Sequence, residues 1–191
     1  MLHKKSICIA LLFCLCMTFC ACGAATETEP PTTQTETTVP EITLEEYKEL
    51  ISVACNSLYE NAIVINNVIT FEDSYWKIIS NVSGSNPDEN NLVEHGMDIL
   101  EKKSDNKYSR QWLEDAFEND SKKYKEIIAT DAPEGAEKIY ETYEAYFDAY
   151  LGLYNLAFAP GGSRSAFDSK ANEYINTITN ANAKIELLLS D

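Results

Sequence analysis

Histidine is almost absent from this 191-residue chain, with His3 and His95 the only two. That scarcity removes whole classes of chemistry. A di-iron carboxylate bundle needs Glu-x-x-His on two helices. No Glu stands three residues before His95, and His3 lies in a leader segment. Tetrahedral zinc from Cys and His lacks ligands for the same reason. A Ser-His-Asp triad would rest on His95 alone, with no nucleophile elbow around any serine. No metal, cofactor or catalytic residue is expected, and the reading is of a protein that is not an enzyme.

Cysteine is scarce where it would matter. Of six cysteines, Cys8, Cys14, Cys16 and Cys20 fall in the leader and Cys22 at its end, so Cys55 alone remains for the folded part. No internal disulfide is available, and a lone Cys without a neighbouring base reads as a small packed hydrophobe. Basic charge is scarce as well. Formal net charge is -16, and removing the leader with Lys4 and Lys5 leaves 13 basic against 31 acidic side chains, or -18. A surface of that sign repels phosphates, which argues against a nucleic-acid partner. Phosphate-loop chemistry is excluded too. Gly161-Gly162 has no preceding strand and no following Lys, so it reads as a helix stop.

What is present begins with an address. His3, Lys4 and Lys5 precede an uncharged apolar run, Ser6 to Phe19. That is the layout of a secretory signal peptide, and the run is shorter than the roughly 18–20 residues of a spanning helix. Phe19-Cys20-Ala21-Cys22 closes it and resembles a bacterial lipobox, with Ala21 in the small position before the modified Cys. Cys20 is the rival site, but bulky Phe19 stands in the small position before it. The resemblance implies that the Cys22 thiol takes a diacylglycerol and that a second acyl chain makes the anchoring stable. It places the protein on the outer face of the bacterial cytoplasmic membrane, with the membrane as its first partner. An ordinary cleaved signal and a secreted protein is the alternative.

Three regions follow: 1–21 signal peptide, 22–40 lipidated Cys with a Thr/Pro/Glu-rich tether, and 41–191 a helical domain. The tether buries too little apolar surface to order itself. As a flexible coil it reaches roughly 20–25 Å.

From Glu41 onward the chain reads helix after helix, and the expected fold is all-α, an antiparallel up-down four-helix bundle. Thr43 and Glu46 have capping-box spacing. An apolar series then runs from Leu44 to Ile79, with Asn61 and Glu72 in two of its slots. The second segment runs from about Asp88 to Ile128. It is either one helix with a wet middle or two helices broken near Asp105-Asn106. The third is expected to start at Asp131, with Pro133 in its first turn, and to stop at Pro160. Tyr140, Tyr143, Tyr146, Tyr150 and Tyr154 share one of its faces. Ala145, Ala149 and Gly152 form a small-residue flank. The fourth carries a heptad seam from Phe167 to Leu188, with Ser165 and Asp168 as caps.

Ala132-Pro133-Glu134, the Tyr140/Tyr143/Tyr150 register, Pro160-Gly161-Gly162-Ser163, Phe167 and Tyr75-Trp76 together resemble a group of small helical lipoproteins and membrane-linked proteins of gut Firmicutes. The resemblance implies a helical fold and supplies no catalytic residue.

The functional expectation is a membrane-anchored interaction module meeting a protein partner at its membrane-distal hairpin. The first hairpin should overhang the second by about 15 Å there, leaving Tyr75 and Trp76 as partner contacts. The alternative is a small-ligand carrier with an interhelical pocket lined by Tyr143, Tyr146 and Tyr150.

Overall fold

The computed structural model describes residues 42–190. The signal peptide, Cys22 and the tether lie outside them. Among the described residues there are five α-helices and no strand: α1 (Leu44–Ser83), α2 (Glu89–Lys103), α3 (Arg110–Ile128), α4 (Glu137–Phe158) and α5 (Arg164–Ser190). No helix among them is long and apolar enough to cross a membrane.

α1 is the organising element. At 40 residues it is about 60 Å long, and each of the other four helices packs against it. It starts where its sequence says. The Thr43 hydroxyl accepts from the Glu46 amide, and the Glu46 carboxyl accepts from the Thr43 amide at 2.9 Å. It stops at Gly84, whose φ of 68° closes the last turn in the left-handed region.

The second segment is broken. Asp105 and Asn106 both adopt positive φ, 52° and 62°, a conformation these two residue types tolerate best after glycine. α2 and α3 are therefore separate helices. Asp88 caps the first of them and Ser109 the second.

α4 begins later than expected. Pro133 to Ala136 is a turn, closed by the Ala136 amide on the Pro133 carbonyl at 3.0 Å, with Gly135 at φ 89°. Only glycine takes that φ without strain. Asp131 therefore caps nothing, and the helix opens at Glu137 without a side-chain cap. At the start of α5, Ser163 and not Ser165 is the cap, accepting from the Ala166 amide at 3.2 Å. Asp168 lies beside Arg164 instead, which also forks onto Asp73 of α1. That pairing holds the Asp73 carboxyl below its ordinary range.

The core collects the inner faces of α1, α4 and α5 with one side each of α2 and α3. The expected seam of α5 is buried at Phe167, Ala171, Ile178, Ala181 and Ile185. Two glycines mark close approaches between helices. A Cβ on Gly152 would run into the Tyr174 ring, so α4 and α5 touch there. Of the small-residue flank, Ala149 is buried and Gly152 half-buried, while Ala145 is exposed. A Cβ on Gly96 would meet Glu72 Cγ at 2.7 Å and the Val68 carbonyl at 3.2 Å, which brings α2 equally close to α1.

Candidate functional site

Of the two expected partner contacts, Trp76 is not a surface group. Trp76 is 2% exposed and packs against Phe167 of α5, ring centroids 5.7 Å apart. Its indole N–H donates to Asn86 at 3.1 Å, which ties the following loop to α1. Tyr75 is half-buried and stacks on His95 at 4.1 Å. The start of α5 reaches the level of Trp76 and covers it. Further along α1, Ile78 and Val82 are exposed.

Tyr143, Tyr146 and Tyr150 are fully buried and line neither of the two cavities described below. Tyr143 packs against Tyr124, and Tyr150 against Phe117 and Phe147, whereas the Tyr146 hydroxyl points at the Cys55 carbonyl of α1, 3.5 Å away. Burial pushes all three hydroxyls up from their ordinary range. Cys55 is a free buried thiol, pushed up to about 12 by burial, and packs as an apolar residue. Among the described residues, no group of three or more His, Cys, Asp or Glu side chains is arranged to hold a metal ion.

One tyrosine does reach a polar centre. Asp120 of α3 is 2% exposed. Its Oδ1 accepts from Ser57 Oγ at 2.7 Å, and its Oδ2 accepts from Asn61 Nδ2 at 2.7 Å and Tyr150 Oη at 2.9 Å. Helical spacing explains the convergence. Ser57 and Asn61 are one turn apart on α1, and Asp120 sits between Phe117 and Tyr124 on the inner stripe of α3. The network ties α1, α3 and α4 together at one level. Asn61 was visible in the sequence as a polar slot. Asp120 was missed, although the gap between Phe117 and Tyr124 in an otherwise regular apolar stripe was its signal.

Asp120 also floors a cavity of 520 Å³ between α1 and α3, with Trp112, Asn119 and Lys123 among its walls. Next to it lies an apolar groove of 730 Å³, lined by Ile42, Leu50, Val53, Ala54 and Ile127. Lys123 and Glu126 border both, so the two form one cleft along the α1–α3 face. Leu50 and Val53 are 44% and 56% exposed, which is unusual for aliphatic side chains pointing into a groove rather than standing singly. Chemically the cleft can hold an elongated molecule with an apolar side and a polar end. Its buried acid is already saturated by three donors and fixes the shape of the floor.

The second buried acid is Glu72 on α1. It is 0% exposed, and neither carboxyl oxygen has a hydrogen-bond partner. Burial pushes it up to about 9. Val68 and Trp76 flank it on α1 and Gly96 faces it from α2.

No protein-family model, curated protein or solved structure matches this chain.

Proposed function

We propose that this chain is an extracytoplasmic binding lipoprotein, held to the outer face of the cytoplasmic membrane by acyl chains on Cys22 and using its α1–α3 cleft to bind a partner. The 22–40 tether gives the domain its reach, and the reading assigns no catalytic residue and no cofactor. In it the helices form an antiparallel up-down bundle whose second leg is α2 followed by α3. Support comes from the direction of the pairings. Tyr75 meets His95 while Phe71 meets Lys103, so α1 and α2 run oppositely. Phe117 meets Tyr154 while Tyr124 meets Phe147, which reverses α3 against α4.

The observation that carries the binding reading is the pair of adjoining cavities, one apolar and one polar, sharing Lys123 and Glu126. Their size is that of sites that take ligands, roughly 300–1,000 Å³. The size of the apolar half also favours a second reading, a small-ligand carrier, with the ligand seated here and not among the tyrosines. The far end of α1, with Ile78 and Val82, remains the competing surface for a protein partner.

A photo-reactive amino acid placed at Val53, and separately at Ile78, in intact cells tests the reading. Adducts from Val53 are expected. Adducts from Ile78 alone would move binding to the far end. Replacing Cys22 with Ser tests the anchor: release of the protein from the membrane fraction is expected.

A further inference from the structure

We infer that the α1–α3 cleft is a docking groove for a cationic amphipathic helix supplied by a partner protein. The inference rests on the binding reading above and names the chemistry of the occupant.

Charge comes first. The cleft is bordered by five acidic side chains, among them Glu46, Glu49 and Asp115, against Lys122 and Lys123. One of these charges is already answered, since Lys122 lies 3.9 Å from Glu126. The remaining balance is acidic, on a chain of formal net charge -16. An anionic partner would be turned away and a cationic one drawn in, with screening by salt.

Shape comes second. The lining runs along α1 from Glu46 to Asn61 and along α3 from Trp112 to Ile127. Each stretch is about 22 Å at the rise of an α-helix, or four turns. The apolar floor lies at one end and along the middle, with the acids beside it. A helix with an apolar stripe flanked by Lys or Arg matches that arrangement.

Backbone comes third. An extended peptide gains affinity by pairing with an open sheet edge. The described residues contain no strand, and the walls of the cleft are helices whose backbone groups are internally paired. An extended occupant would leave its own amides unpaired against them, whereas a helix brings its backbone already satisfied and offers ridges to the groove between two helices.

The test uses the purified full-length chain and a fluorescent peptide of about 18 residues with Leu at helical spacing and Lys elsewhere. Two comparison peptides carry Glu in place of Lys, or the same residues in scrambled order. Saturable binding is expected for the first, weaker by about tenfold or more for the other two. Val53→Lys and Leu50→Lys should weaken it about tenfold, while Ile78→Lys leaves it unchanged. Both cleft positions are partly exposed, and circular dichroism of each variant confirms that it remains folded.

Equal binding of the Glu peptide would overturn the charge argument, and equal binding of the scrambled one the helix. A single-tailed trimethylammonium amphiphile that displaces the peptide and binds as tightly would replace the helix with a small cationic ligand. Adducts at Val53 in cells without binding of the Lys peptide would remove this occupant and leave the cleft. The absence of both would remove the cleft as well.

Discussion

The two halves of α1 each bury an acid or receive one, and treat it in opposite ways. The first half supplies Ser57 and Asn61, two donors, to Asp120 of α3, and α4 adds Tyr150. The second half buries Glu72 with no donor at all, against the bare backbone of Gly96. Exposure does not separate them, at 2% and 0%. What differs is the supply of hydrogen bonds. A buried acid with three donors locks helices together, whereas one with none is neutralised and costs stability whenever the solvent would rather have it charged. The well-paired acid sits at the cleft and fixes the shape of its floor. The unpaired one sits where α2 approaches most closely.

Replacing Asp120 should produce the largest effect. Asp120→Ala leaves the buried Tyr150 hydroxyl and Asn61 amide without their acceptor, at about 1–3 kcal/mol for each orphaned group. A loss of about 4 kcal/mol in urea unfolding is expected. A loss below about 1 kcal/mol would mean that water from the neighbouring cavity replaces the carboxyl, and the contrast between the two acids would collapse.

Glu72→Met should act in the opposite direction. Folded Glu72 holds its proton to about 9, whereas its ordinary value is 4.5. Between those values the native state binds more protons than the unfolded one, so this group's contribution to stability falls as pH rises. At pH 7 the cost relative to pH 4 is about 3 kcal/mol, and it levels off above pH 9. Glu72→Met should therefore stabilise the protein at neutral pH and flatten the profile of unfolding midpoint against pH between 5 and 9. An unchanged profile would show that Glu72 finds a partner in solution.

The legible parts of this fold were the local ones. Thr43 and Glu46 sit three apart and cap each other, and the α5 seam is a repeat within one helix. Asp105-Asn106 was legible as one of two alternatives, because polar residues that accept positive φ stand where the apolar stripe fails. Less legible was anything settled by distant segments. Trp76 is covered by Phe167, 91 positions away, and nothing local to Trp76 announces that. The same applies to the cleft. Its two walls come from α1 and α3, and only their juxtaposition turns Leu50, Val53 and Ile127 into one surface. The late start of α4 is hidden in the sequence because Asp131 and Pro133 imitate a helix start, while Gly135 sets the turn.

Gly96→Ala sharpens the account of the second half. The new methyl would press on Glu72 Cγ at 2.7 Å and on the Val68 carbonyl at 3.2 Å. Overpacking of this kind costs about 1–3 kcal/mol, offset by up to about 1 kcal/mol of helix propensity. A net loss of about 1–2 kcal/mol is expected. Combining it with Glu72→Ala, which removes Cγ, should recover most of the loss. Strictly additive losses would show that Val68, and not Glu72, sets the distance between α1 and α2.

The smallest effect lies where α2 gives way to α3. Asp105 and Asn106 hold positive φ at a cost that glycine does not bear. The Asn106 amide still bonds back to the Glu101 carbonyl at 2.9 Å, and the Lys107 amide to Ser104, so the turn is fixed by its backbone and not by those two side chains. Asn106→Gly should therefore leave the turn intact and shift stability by less than about 1 kcal/mol, the relief of φ being set against the greater freedom of glycine in the unfolded chain. Asn106→Val should cost more, because a β-branched residue resists this φ. A large loss on Asn106→Gly would mean that the side chain itself breaks the segment. The division between a paired and an unpaired acid would then depend on one asparagine.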